Sequence, residues 1–161
     1  MIKIAMDSTL IPLYRLMIMT PCLQIQPGPN LRYPPSEQED RDIINALYKI
    51  LTSLNPPPRF CKLPCNETAL KDHPIDKEKF PDCCRKGFDT NKINNVNIRM
   101  DELKDFQEKL AEECRLLAEA EVCGVNILLA RNRSFNQNLQ NRAKNKVKIF
   151  HPIDYSNEIA K

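Results

Sequence analysis

Residues 98–147 read IRMDELKDFQEKLAEECRLLAEAEVCGVNILLARNRSFNQNLQNRAKNKV, fifty positions without a proline. Leu103, Phe106, Leu110, Cys114 and Leu117 recur at spacings of three and four, the separation that stacks side chains on one helical face. Glu, Lys, Gln and Ala, all good helix formers, fill the positions between. An apolar run follows at Val122, Cys123, Val125 and Ile127 to Leu129, and then Phe135, Leu139, Ala143 and Val147 continue at four-residue steps. Gly124 is the one interruption. The pattern predicts one helix over about 98–147, or the same stretch folded back at Gly124; unbroken, it would be about 75 Å long.

Charge divides this stretch in two. Eight acids and three bases lie between Asp101 and Glu121, whereas Arg131 to Lys148 holds six bases and no acid. Opposite signs on either side of Gly124 favour pairing of the halves, within one chain or between two as in a coiled coil. An apolar stripe beside a basic stripe is the chemistry of a protein-binding surface. The candidate interaction residues are Leu103, Phe106, Leu110, Leu117, Arg131, Arg133, Arg142, Lys144 and Lys146. Nucleic acid is disfavoured as a partner, because the charge comes with few stacking aromatics and no base-reading motif.

Upstream, a second helix is expected over about 36–54. Ser36 and Glu39 form a capping box after Pro34 and Pro35. Ile43, Leu47, Ile50 and Leu54 then make an apolar stripe, and Asn55 with Pro56, Pro57 and Pro58 ends it. Residues 1–35 carry six prolines and read as an extended, irregular N-terminal segment. A helical region over 36–150 would contain a long Cys- and Pro-rich loop at 56–97, with a tail at 151–161. The fold class expected is therefore mainly α, with two long helices and little or no sheet.

Composition closes off several functions. Three glycines in 161 residues leave no phosphate-binding glycine-rich loop and few turns for a barrel or sandwich. There is no metalloprotease, lipase-type or nucleotide-binding signature, and neither His73 nor His151 sits in a catalytic context, so an enzyme is not expected. No run approaches the roughly eighteen apolar residues of a membrane span. The apolar stretch from Leu10 to Leu23 contains Arg15, Pro12 and Pro21 and lacks a small-residue cleavage site, so secretion is disfavoured and a cytoplasmic or nuclear location expected.

The seven cysteines give secondary alternatives. Cys61, Cys65, His73, Cys83 and Cys84 fall within 24 residues, and zinc would need four such ligands. Adjacent cysteines chelate poorly because their side chains point apart. No cofactor is expected, zinc being the alternative. The leading expectation is a non-enzymatic adaptor or structural subunit, cytoskeletal for example, binding other chains or itself. A small metal-stabilised module around Cys61–Cys84 and a secreted disulfide-linked factor are the alternatives.

Overall fold

The computed structural model of the chain describes residues 1–19, 38–84 and 86–161, with backbone only at Ser134 and Phe135. Four short strands form one parallel sheet: β1 (Lys3–Met6), β2 (Arg59–Phe60), β3 (Ile127–Leu129) and β4 (Lys148–Phe150), in the order β2-β1-β3-β4. Ile4 pairs with Phe60 on one side and Ile127 on the other, and Leu128 with Ile149 beyond. Helices connect the strands: α1 (Ile11–Met19) and α2 (Gln38–Ser53) between β1 and β2, then α3 (Glu67–Asp72), α4 (Thr90–Glu102) and α5 (Gln107–Val122) before β3, α6 (Arg133–Leu139) between β3 and β4, and α7 (Pro152–Ile159) after β4.

Side chains alternating along each strand build two cores. Ile4, Met6, Phe60, Ile127 and Leu129 face α1, α2 and α7. Ala5, Cys61, Leu128 and Ile149 face the other way, against Leu103, Leu110, Cys114 and Leu117. A parallel sheet covered on both faces is a doubly wound α/β fold.

This corrects the expectation of a mainly α chain with two long helices and little or no sheet. The 98–147 helix is absent, and its span holds the end of α4, a kinked α5, β3 and α6 before β4 begins. Gly124, with φ +71°, stops α5: left-handed backbone is cheap for glycine and cannot continue a right-handed helix. The apolar run after it is an inner strand. Such a strand is buried on both faces and shows no alternation, so it reads like a buried helix. The stripe Leu103, Leu110, Cys114 and Leu117 does face one core, but from a 3-10 turn (Lys104–Phe106), its flanking cap and α5 rather than from one rod.

The N-terminus is likewise ordered where an irregular segment was expected. Lys3–Met6 is a strand, and Pro12 lies in the first turn of α1, where a missing N–H costs nothing. Toward the other end α2 buries Ile43, Leu47 and Ile50. The expected Ser36 cap and the proline-rich 20–35 region lie outside the described residues.

Candidate functional site

In a doubly wound sheet, two successive connections leave in opposite directions at the point where strand order reverses. The carboxyl ends of the strands there splay apart and leave a crevice. Here the reversal lies between β1, whose chain continues outward to β2, and β3. A crevice of about 820 Å³ opens at this edge, lined by Asp7, Ser8 and Thr9 after β1 and by Ala130, Arg131 and Asn132 after β3. Its side walls are Cys65, Thr68 and Asp72 from the segment after β2, and Glu112, Glu113 and Arg115 from α5. The volume lies within the range of small-molecule sites, about 300–1,000 Å³.

Asp7 holds the two strand ends together. One carboxylate oxygen accepts from the Thr9 N–H at 2.8 Å and from the Thr9 hydroxyl; the other accepts from the Arg131 N–H at 2.6 Å. The β1–α1 turn is where many doubly wound proteins hold a phosphate on free backbone N–H groups. In this chain the Asp7 carboxylate fills that position. The cations are spoken for as well. Arg131 pairs with Asp40 and, at 3.7 Å, with Glu39; Arg115 pairs with the buried Glu119 at 3.0 Å. Five carboxylates against two paired guanidiniums give the crevice a negative character.

Cys65 enters from the 3-10 turn Pro64–Asn66. Its N–H donates to Glu119 Oε1 at 2.9 Å. Burial, and then the neighbouring Glu119 charge, push the thiol pKa well up, so the sulfur stays protonated and weakly nucleophilic. The turn is fixed by Asn66, fully buried, whose amide donates to the Met6 carbonyl and to the Ser8 hydroxyl, both at 3.2 Å.

His151 follows β4 at the same sheet edge and caps α7, its Nδ1 accepting from the Ile153 N–H at 3.1 Å. That leaves Nε2–H to face Glu39 Oε1 at 3.4 Å. Burial, helped by Arg133, lowers its pKa, which keeps the ring neutral.

The residues picked from the sequence are dispersed. Leu103, Leu110 and Leu117 are inside the core, with Phe106 packed beside it. Arg142 lies over the Phe106 ring at 5.2 Å and donates to the Glu102 carbonyl at 2.9 Å; Lys144 pairs with Glu102 at 3.1 Å. Arg133 pairs with Asp154, and Lys146 is exposed in a turn at φ 63°. Of this set only Arg131 reaches the crevice. The acidic stretch meets the basic one at its most buried point through an indirect route: Glu121 binds Arg99 Nε at 2.7 Å and the Lys144 N–H.

Four of the cysteines are paired, Cys61 with Cys83 and Cys84 with Cys123, while Cys65 and Cys114 are free. Cys22 lies outside the described residues. The divergence of adjacent side chains that spoils Cys83 and Cys84 as chelators sends each to a different partner. His73 caps α3 apart from them, and among the described residues no group of His, Cys, Asp and Glu has metal-site geometry.

No motif in the sequence marks the crevice residues Asp7, Ser8, Thr9, Thr68 and Asp72. The available signal was the order apolar strand, Asp-Ser-Thr, apolar helix at 4–14, a strand running into a helix cap. No known family model matches the chain, nor does any curated protein or solved structure.

Proposed function

We propose that this chain is a small-molecule-binding α/β domain. The ligand is a compact polar molecule that carries hydroxyl or amino groups and no phosphate. The observation that carries the reading is the crevice at the reversal of strand order, with Asp7 occupying its anion position. Thr68 supplies a hydroxyl, and Asp72, Glu112 and Glu113 supply carboxylate acceptors at the walls, while the Ser8 and Thr9 hydroxyls are engaged by the Cys65 carbonyl, Asn66 and Asp7. The reading includes no catalytic step. Burial and the neighbouring Glu119 charge hold the Cys65 thiol protonated.

An adaptor role through a long amphipathic helix has less support, since the stripe that would carry it is used inside the chain's own core. A metal-stabilised module has little, because three of its five candidate ligands are in disulfides. The two disulfides favour an oxidising compartment, in keeping with the secreted alternative.

The test is a titration of isotopically labelled protein, followed by amide chemical shifts, with amine- and hydroxyl-bearing metabolites and their phosphorylated counterparts, glucosamine and glucosamine 6-phosphate among them. Shifts gathered at residues 7–9, 65–72 and 130–132, stronger for the unphosphorylated member of each pair, are expected. Binding elsewhere, or preference for the phosphate ester, would count against it.

A further inference from the structure

The two side walls of the crevice belong to separate parts of the chain. One is the segment after β2, carrying Cys65, Thr68 and Asp72; the other is α5, carrying Glu112, Glu113 and Arg115. They are joined near the crevice by the Cys65 N–H to Glu119 hydrogen bond, and at the end of α5 by the Cys84–Cys123 disulfide. We propose that Cys84–Cys123 is a reducible tether that sets how firmly these walls are held, while Cys61–Cys83 is a permanent staple.

Access separates the two bonds. A reducing thiolate must reach one of the sulfurs before exchange begins. All four cysteines are buried in the core, but as whole residues Cys61 and Cys83 are 0% and 1% exposed and Cys84 and Cys123 are 9% and 6% exposed, so the second pair lies nearer the surface. Position separates them as well. Cys61–Cys83 lies across a backbone ladder that stands without it: Cys61 N–H donates to the Ile4 carbonyl at 2.9 Å, Lys62 N–H to Pro81 at 2.8 Å and Cys83 N–H to Lys62 at 3.0 Å. Among the described residues no such ladder runs between Cys84 and Cys123. The Lys3 ammonium donates to the Cys83 and Cys123 carbonyls at 3.0 and 3.4 Å.

The step is a two-electron exchange with a dithiol. A reductant thiolate attacks one sulfur of Cys84–Cys123, the S–S bond breaks, and the departing thiolate takes up a proton. The second reductant thiol closes a ring disulfide and releases the other cysteine as a thiol. The reductant is oxidised and the tether reduced. The α5 end then loses its covalent link to the segment after β2 and keeps core packing, the Lys3 contacts and the Cys65–Glu119 hydrogen bond, so the crevice loosens without loss of the sheet, whose ladder does not pass through Cys84. The consequence for binding rests on the crevice being the ligand site; the reduction order and the loosening do not.

The experiment exposes the full chain to dithiothreitol under native conditions. It quenches with two isotopic forms of iodoacetamide and follows peptide mass together with hydrogen exchange. Cys84 and Cys123 should become alkylated about tenfold or more faster than Cys61 and Cys83, given their better access. Exchange should rise over 64–72 and 112–122 while β1 and β3 stay protected. Equal or reversed reduction rates, unchanged exchange after Cys84–Cys123 opens, or loss of protection throughout the sheet would each overturn the proposal. The Cys84→Ser/Cys123→Ser variant should show the same local exchange without reductant. If that variant does not fold, the sheet depends on the tether and the proposal fails. The metabolite titration, run on the oxidised protein, reports separately on whether the crevice is a ligand site.

Discussion

The Asp7 carboxylate accepts the Arg131 backbone N–H at 2.6 Å, a hydrogen bond between residues 124 apart in sequence that closes the ends of β1 and β3 upon each other. The same carboxylate caps the turn into α1 through Thr9. One side chain thus fixes the floor of the crevice and fills the place a phosphate would take.

Replacing Asp7 by Ala should therefore cost more than an ordinary cap. Two N–H groups lose their acceptor, so the expected loss is about 1–3 kcal/mol in urea unfolding, with an unchanged slope against denaturant. A loss under about 0.3 kcal/mol would mean the carboxylate is not the clamp described.

Arg99 and Glu121 form a buried ion pair, with side chains 8% and 2% exposed. Truncating Arg99 to Ala strands the carboxylate of Glu121 and should cost about 3–5 kcal/mol. The double variant Arg99→Met/Glu121→Leu should lose much less than the sum of its single changes, since no charge is left uncompensated. Additive losses from urea midpoints would show that the pair is not coupled.

His151 makes stability depend on pH with a definite sign. Its folded pKa is lowered by burial first and by Arg133 second, against the opposing pull of Glu39 and Asp154. Below the unfolded value, about 6.5, the unfolded chain takes up a proton that the folded chain resists. The contribution is present above that pH and drains away as pH falls toward the folded pKa. Thermal unfolding between pH 8 and 5 should show a drop that His151→Asn, which retains a capping side chain, flattens. Equal slopes in the two proteins would remove His151 from the account.

The sequence was readable where a segment's pattern and its environment agree. The stripe of Ile43, Leu47 and Ile50 became the buried face of α2, because an amphipathic helix on one side of a sheet needs that period and no other. The strands were obscured by length and setting. β1 has four residues and β3 three, too short for a period of two to declare itself, and β3 is apolar on both faces. Leu103 to Leu117 misleads for the opposite reason. Its spacing is helical, but Leu110 departs to φ −132°, and a 3-10 turn breaks the rod at Lys104–Phe106. The crevice was hidden because Asp7 and Arg131 are brought together only by strand pairing, which no local pattern encodes. The disulfide partners were hidden in the same way: a set of cysteine positions is compatible with several pairings.

All of this rests on the chain turning out of α5 at Gly124 to enter the sheet as β3. Urea unfolding of Gly124→Ala tests that point through the sign of its effect. A Cβ at this position meets no atom within 4 Å, so the substitution acts through backbone conformation alone. At φ +71° alanine is strained, and the variant should be less stable than the parent by about 1 kcal/mol. If a helix ran through residue 124, alanine would be the better residue there. The variant would then gain about 1 kcal/mol, a result that would contradict the fold and the crevice with it.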